Sequence, residues 1–271
     1  MAKDFIYRFT ILGCGSSPGV PRIMGDWGAC DPQNPKNNRM RSALLIERIK
    51  DTGQKTTIVV DTGPDFRQQM LMANVKYIDA VVYTHGHADH THGIDDLRPY
   101  AFEQKDKIAV YADFTTLEKL RESFGYCFST PAGSNYPPIL MAHQIADGEE
   151  FSIQGAAGEI SLLPLLQHHG NSLSLGFRIG DVAYCTDVSH FPDETVENLK
   201  GLDVLILDCL QYKPHPSHLS LEQALSWIEK LKPKKVFFTH MHIPFDYQKL
   251  FQELPEHIKP SYDGMSFTWA G

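Results

Sequence analysis

The chain has 271 residues, of which 42% are hydrophobic and 21% are charged, as in ordinary globular proteins. This composition excludes intrinsic disorder, a collagen-like repeat and a coiled coil, and no apolar stretch reaches the ~20 residues that a membrane span requires. The formal net charge of −8 argues against non-specific nucleic-acid binding, because the phosphate backbone attracts basic surfaces.

The N-terminus and the cysteines indicate the cellular compartment in which we expect the protein. The first eight residues are partly charged and lead directly into a strand-like pattern, without the apolar h-region of a signal peptide. The five cysteines are odd in number, and no two have C-x-x-C spacing. We therefore expect reduced thiols and a cytoplasmic protein that does not associate with membranes.

Short runs of β-branched and aromatic residues predict nine buried strands. These runs are residues 7–12, 42–47, 56–60, 80–83, 108–111, 174–179, 182–185, 204–207 and 236–238. Apolar residues at helical spacing predict helices at 115–124 and 219–231. Strands that alternate with helices indicate an α/β layered fold. No change in composition marks a boundary, so we expect residues 1–271 to form a single domain.

Five of the predicted strands end in a side chain that can bind a metal ion. These side chains are Asp61, His85, Asp187, Asp208 and His240. A single aspartate after a strand is usually a turn residue. Five such residues in a chain with 13 histidines indicate instead a shared site at the carboxyl ends of the strands.

The motif His85-x-His87-x-Asp89-His90 has the spacing of a metal site. His85 and His87 are two apart in extended backbone, so they face the same side and can chelate one ion. Asp89 and His90 follow one turn later and can face a second ion. Imidazole and carboxylate ligands without thiolate suit Zn²⁺, Mn²⁺ or Fe. Two ions need a bridging anion, for which Asp187 is the best-placed carboxylate.

One more histidine for each ion can come from two histidine pairs. His168 and His169 are adjacent, and His240 and His242 are separated by one residue. Spacing alone leaves both choices open.

At these residues the sequence resembles the metallo-β-lactamase-fold hydrolases along its whole length. The matching segments are Asp61, His85-x-His87-x-Asp89-His90, His169-Gly170, Thr186-Asp187 and Thr239-His240. The resemblance implies a four-layer αββα sandwich with a dinuclear metal site at one edge of its two sheets. It also favours His169 and His240 as the remaining ligands.

Two branches of this family are most similar, the cyclic phosphodiesterase of the carbon–phosphorus lyase pathway and the tRNA 3′-processing endonuclease. Asp208 and His218 lie in segments similar to those where both branches keep an acid–histidine pair beside the metals. The C-terminal segment from Tyr262 to Met265 also resembles the phosphodiesterase branch. No long insertion resembles the arm with which the endonuclease grips tRNA.

The sequence departs from the pathway phosphodiesterase at three points. Only Cys14 and Cys30 lie where that branch has a cysteine cluster holding a structural zinc. Ser189 stands where that branch has an acidic residue. The spacing of His240 and His242 also differs slightly, which leaves the last ligand open between them.

The sequence thus predicts a hydrolase with two divalent ions, Zn²⁺ or Mn²⁺, acting on a small anionic phosphodiester. The predicted ligands are His85, His87, Asp89, His90, His169, Asp187 and His240. The predicted catalytic residues are Asp89, Asp208 and His218. Alternatives are a tRNA 3′-processing-type endonuclease, a lactone or thioester hydrolase, and a non-catalytic cofactor-biosynthesis protein. The sequence leaves the oligomeric state open, including a homodimer.

Overall fold

The β-branched runs form two mixed sheets in the computed structural model, which describes residues 4–271. The first three residues of the charged N-terminus and of the predicted domain lie outside the described residues. The strands are β1 (Phe5–Gly13), β2 (Ala43–Lys50), β3 (Lys55–Val60), β4 (Ala80–Val82), β5 (Ile108–Ala112), β6 (Leu140–Gln144), β7 (Phe151–Ile153), β8 (Ile160–His169), β9 (Ser172–Ile179), β10 (Val182–Cys185), β11 (Val204–Asp208), β12 (Lys235–Thr239), β13 (Ile258–Pro260) and β14 (Met265–Trp269). The sheet orders are β14-β1-β2-β3-β4-β5-β6 and β13-β12-β11-β10-β9-β8-β7.

Helices cover the outer faces of both sheets. They are α1 (Phe66–Ala73), α2 (Ala88–Thr91), α3 (Arg98–Gln104), α4 (Phe114–Phe128), α5 (Asp193–Asn198), α6 (Leu221–Leu231) and α7 (Tyr247–Glu253). Three short 3-10 turns lie at Ile23–Gly25, Pro35–Asn37 and Ile94–Leu97. None of the helices among residues 4–271 combines the length and apolar character needed to span a membrane.

Side-chain alternation along the strands accounts for the layers. Ile58 and Val60 of β3 pack between the two sheets, whereas Val59 packs outward with Phe66 of α1 and Leu117 of α4. A strand buried on both faces reads as a continuous apolar run, which is the pattern that predicted it. On the other side, α6 packs its apolar stripe into the same cluster as β11 and β12. The predicted four-layer αββα sandwich is therefore confirmed.

All nine predicted strands and both predicted helices are present among the described residues, while other elements were missed. Pro164 lies inside β8, and proline inside an apolar run argues against a strand. Helix α6 begins two residues later than predicted, because Ser220 accepts a hydrogen bond from the Gln223 N–H and caps it. The helices α1, α2, α3, α5 and α7 are too short to show clear periodicity.

The sheet topology brings the metal-competent strand ends to one edge. β3 and β4 run parallel in one sheet, and β10, β11 and β12 run parallel in the other. A parallel bridge between Gly15 and Met241 links the two sheets at this edge. The five cysteines are buried and unpaired, as the sequence predicted.

A hydrogen bond from Trp269 joins the two sheets and provides a test of the fold. Its indole N–H donates to Asp203 Oδ2 across 3.0 Å, whereas the indole N–H of Trp227 has no acceptor among residues 4–271. We expect Trp269→Phe to lower the free energy of unfolding by about 1 kcal/mol more than Trp227→Phe does. Urea denaturation of chelator-treated protein measures both changes, and equal losses would show that this bond does not stabilise the sandwich.

Candidate metal centre

The loop after β4 and helix α2 carry the four side chains of the motif to the edge of the two sheets. His87 has extended backbone angles, and the rings of His85 and His87 lie together with centroids 4.4 Å apart. The chain then turns into α2, which carries Asp89 and His90. Gly63 packs against this turn so closely that a Cβ there would lie 2.2 Å from the carbonyl oxygen of Asp89. Only glycine permits this approach.

The predicted ligands form two adjacent groups that share Asp187. One group contains His85, His87, His169 and Asp187, and the other contains Asp89, His90, Asp187 and His240. Within each group the candidate ligand atoms all lie within 4.8 Å of one another. The structure therefore brings together all seven residues that the sequence predicted as ligands.

The two oxygens of Asp187 face different groups. Oδ2 lies 3.8 Å from His85 Nε2 and 3.6 Å from His169 Nε2. Oδ1 lies 3.2 Å from His90 Nε2 and 3.0 Å from His240 Nδ1. This geometry is that of a carboxylate able to bridge two ions.

Several buried polar atoms in the cluster have no hydrogen-bond partner among residues 4–271. They include His85 Nε2, Asp89 Oδ2, His90 Nε2 and His240 Nε2. Buried polar atoms are nearly always paired, so a convergent set without partners needs an explanation. Divalent ions fit this donor set, since imidazole nitrogen and carboxylate oxygen are their usual protein ligands.

The electrostatics of the cluster also favour a cation. Burial lowers the pKa of His90, but the carboxylates of Asp187, Asp89 and Asp61 more than offset it and hold that pKa well above its ordinary value. Burial raises the pKa of Asp187, yet His240 and His90 hold it well below its usual range. Asp187 is therefore ionised, which is the form that binds metal.

The imidazoles of the first group are held neutral. Burial and the neighbouring His90 lower the pKa of His85 well below its ordinary value. Burial is also the largest cause of the lowered pKa values of His87 and His169. Neutral imidazole has a free nitrogen lone pair, so these three side chains are ready to bind an ion without losing a proton.

Asp61 holds the motif through hydrogen bonds to His90 and Thr84. Its Oδ2 lies 2.7 Å from His90 Nδ1 and accepts a hydrogen bond from Thr84 Oγ1, while Oδ1 accepts one from the Thr84 N–H. Asp61 belongs to neither ligand group. A carboxylate that accepts from Nδ1 leaves Nε2 free to face the site.

Each histidine pair has one member in the cluster. His169 ends β8 with its Nδ1 2.7 Å from the Ser217 carbonyl oxygen, which directs Nε2 to the site. His168 is exposed and pairs with His190 through the backbone. His240 is fully buried in the second group, whereas His242 Nδ1 lies 2.8 Å from Ser16 Oγ.

The predicted acid–histidine pair lies directly beside the cluster. His218 Nδ1 is 2.7 Å from Asp208 Oδ2, and its Nε2 is 3.9 Å from Asp187 Oδ2. Asp208 Oδ2 also accepts a hydrogen bond from the Val188 N–H, which fixes the carboxylate. Burial raises the pKa of Asp208 well above its ordinary value and lowers that of His218. Nε2 is the nitrogen left to face a substrate.

The sequence reasoning assigned no role to two threonines that support the cluster, Thr84 and Thr186. Thr84, Thr186 and Thr239 each directly precede a residue of the cluster. Thr84 binds Asp61, and Thr186 Oγ1 donates to Asp187 Oδ1 across 2.8 Å. A threonine directly before His85, Asp187 and His240 was the signal that could have identified them.

Comparison with known proteins places these residues in a family. A model of the β-lactamase superfamily domain matches residues 56–241. The crystal structure of a new diphosphatase from the PhnP family shares 35% sequence identity, with a TM-score of 0.86 and coverage of 97% of both chains. The Zn²⁺-bound PqqB structure from Methylobacterium extorquens, at 17% identity and TM-score 0.70, covers 96% of this chain and 99% of that one. That likeness shows the fold alone.

An octanoyltransferase of Porphyromonas gingivalis (strain ATCC BAA-308 / W83) is 35% identical over 263 residues. The match covers 95% of this chain but 51% of that protein, so the chain spans about half the length of this curated relative. The fold implies divalent metals, and the His/Asp cluster is present to hold them. The chain belongs to the β-lactamase superfamily of metal-dependent hydrolases, with a PhnP-family diphosphatase among its relatives.

Proposed function

We propose that this protein is a dinuclear phosphodiesterase acting on small cyclic or nucleotide-like phosphodiesters. The observation that carries the proposal is the Asp187 carboxylate, which faces a different ligand group with each oxygen and has the Asp208–His218 pair beside it. The ligands are His85, His87, Asp89, His90, His169, Asp187 and His240. Asp89, Asp208 and His218 take part in catalysis, and the ions are Zn²⁺ or Mn²⁺.

An anionic substrate fits the charge of this site. Two divalent ions carry more positive charge than the carboxylates of Asp89 and Asp187 remove, so the pocket is positive in an otherwise acidic protein. Such ions lower the pKa of water and neutralise charge on phosphoryl oxygens. A diphosphatase relative at 35% identity supports a phosphate ester or anhydride as substrate.

His218 acts as the general acid for the departing alkoxide. Asp208 holds Nδ1, so Nε2 is the atom that carries the proton to the leaving oxygen. A bound phosphodiester places negative charge close to His218, which favours the protonated imidazole. Asp89 would hold one of the two ions and would take part in catalysis through the activation of water by that ion.

Residues 1–271 form one catalytic domain in this proposal, because the cluster takes side chains from both sheets. The five free thiols support a cytoplasmic location, and the net charge of −8 supports a small substrate rather than a nucleic acid.

A substrate panel tests the proposed function. It contains nucleoside cyclic phosphates, ribose cyclic phosphates and bis-p-nitrophenyl phosphate, each with Zn²⁺ or Mn²⁺ added. Because one relative is named an octanoyltransferase, the panel also includes an octanoyl thioester. Metal-dependent hydrolysis of the phosphodiesters alone is expected. Hydrolysis of the thioester with none of the phosphodiesters would assign the site to acyl chemistry.

Asp187→Ala tests the shared carboxylate. We expect it to lose at least one ion and to abolish hydrolysis, since even an outer partner of a ligand is worth roughly 10–100-fold in metal affinity. The melting temperature with metal should fall as well, because bound ions stabilise the folded state. Elemental analysis measures the ions per chain, with His257→Ala as the control. Two ions retained in Asp187→Ala would contradict the dinuclear assignment.

The two histidine pairs provide matched controls for ligand identity. His169→Ala and His240→Ala should each lose metal, because both side chains belong to the buried cluster. His168→Ala and His242→Ala should keep both ions, since neither belongs to a ligand group. Metal analysis of the four variants decides each pair separately. Metal loss from His168→Ala or His242→Ala instead would shift that ligand to the neighbouring histidine.

His218→Ala tests the proton donor. An alkoxide is a poor leaving group that needs protonation, so the variant should lose roughly 10²–10⁴-fold in rate on a ribose phosphodiester. Nitrophenolate leaves without a proton, so the loss on bis-p-nitrophenyl phosphate should be far smaller. Metal content is measured in parallel and should not change. Equal losses on both substrates would exclude general acid catalysis by His218.

A further inference from the structure

Two histidines outside the metal cluster lie at its rim. The ring of His215 is 5.3 Å from that of His218, measured between centroids, and His242 follows the cluster residue His240 by two positions. The His242 N–H donates to the Leu210 carbonyl, and the Leu210 N–H donates to the carbonyl of Leu219, the residue after His218. Both rim histidines are half-buried, and neither belongs to a ligand group.

Backbone geometry fixes the tautomer of His215. The Ser217 N–H donates to its Nδ1 across 3.3 Å, and Ser217 Oγ lies 3.2 Å from the same atom. A nitrogen that accepts from a backbone N–H carries no proton, so Nε2 carries the proton of the neutral ring. That Nε2–H has no hydrogen-bond acceptor among residues 4–271. His215 thus presents one oriented donor at the rim.

His242 is held in the same manner by a second serine. Its Nδ1 lies 2.8 Å from the hydroxyl of the buried Ser16, whose own N–H donates to the Met241 carbonyl across 3.2 Å. The His242 N–H donates to the Leu210 carbonyl across 2.9 Å. These contacts orient the ring, and its Nε2 likewise has no partner in the described part of the chain.

The nearby arginines do not add free positive charge to the rim. Arg22 forms an ion pair with Asp26, and Arg41 forms one with Asp65 at 3.0 Å. A second phosphoryl group would therefore find no free guanidinium from these two arginines. The rim instead offers oriented imidazole nitrogens, which suit neutral hydroxyl oxygens.

We propose that His215 and His242 form a subsite that binds the sugar hydroxyls of the phosphodiester. This inference rests on the proposed function and specifies its substrate class. The substrate is a phosphodiester of ribose rather than of an apolar alcohol. The subsite lies beside His218, so it contacts the sugar whose oxygen leaves phosphorus. Both serines orient the imidazoles before substrate arrives, which reduces the entropy lost on binding.

Two cyclic phosphates of matched reactivity test the subsite. Ethylene glycol cyclic phosphate and ribose 2,3-cyclic phosphate both open a five-membered ring and release an alkoxide, so proton transfer from His218 affects both. Only the second has a sugar with free hydroxyls, and neither carries a base. We expect His215→Ala and His242→Ala each to lower the ratio of kcat/KM, ribose ester over glycol, by roughly 3–10-fold. The loss should lie mainly in KM, and His215→Gln should restore part of it for that position.

Exposed His190 provides the control, since His190→Ala should leave the ratio unchanged. An unchanged ratio in both rim variants would overturn the subsite. If kcat/KM fell equally on both substrates, these residues would only support the catalytic pair, which would also overturn it. A larger loss on a dinucleoside diphosphate than on the ribose cyclic phosphate would overturn the sugar subsite in favour of a site for a second phosphoryl group.

A binding measurement separates this inference from the proposed function. Calorimetry with ribose 3-phosphate and with 2-hydroxyethyl phosphate measures sugar recognition without turnover. The wild type should bind the ribose phosphate more tightly, and each rim variant should lose that preference. If the wild type hydrolyses no phosphodiester, the proposed function fails, and the binding preference still decides whether the rim recognises a sugar. Equal affinities in the wild type would overturn the subsite.

Discussion

The Asp187 carboxylate is the interaction on which the rest of the site depends. Its two oxygens face separate groups of imidazoles, and both groups lose a member if it is removed. The carboxylate is fully buried, so burial would raise its pKa, and the imidazoles of His240 and His90 reverse that shift. A buried charge is tolerated only where it is compensated. The cluster is therefore an electrostatic unit, which divalent ions complete.

Three residues of this edge adopt a backbone conformation that most side chains avoid. Asp61, Asp187 and His240 have φ values of 66°, 53° and 58°. Asp61 and His240 directly follow the last residues of β3 and β12, and Asp187 lies two residues after the end of β10, so each left-handed turn stands at the sheet edge. Such residues cost about 1–3 kcal/mol each and persist where the surroundings fix them. Thr84 and Thr186 provide that fixation through hydrogen bonds to Asp61 and Asp187.

In the proposed function, the rim adds selectivity to a centre that by itself recognises only charge. Divalent ions would attract any phosphodiester anion, whereas His215 and His242 each present a nitrogen whose orientation is set by a serine. Ser217 contacts both the metal cluster and the rim. Its carbonyl oxygen holds His169, and its N–H donates to His215. The segment between β11 and α6 thus couples the metal centre to the proposed sugar subsite.

The sequence by itself determined nine of the fourteen strands among residues 4–271, the family and the identity of the cluster. Apolar runs ending in Asp61, His85 or His240 predict both buried strands and a shared edge, because parallel strands end together. Local spacing also separated His85 and His87 from Asp89 and His90 into two groups, as the structure has them. The sequence did not predict β8, because Pro164 lies inside it. Helices such as α1 were too short to give a periodic signal.

Only the tertiary structure decided what depends on contacts between distant segments. The choice of His169 over His168 as the cluster member follows from the pairing of β8 with β9, which faces one ring inward and the other to solvent. The division of the Asp187 oxygens between two groups and the pairing of Ser16 with His242 join segments far apart in the chain. Residue type and spacing specify which atoms can bind, but only packing fixes which of them meet and in what direction.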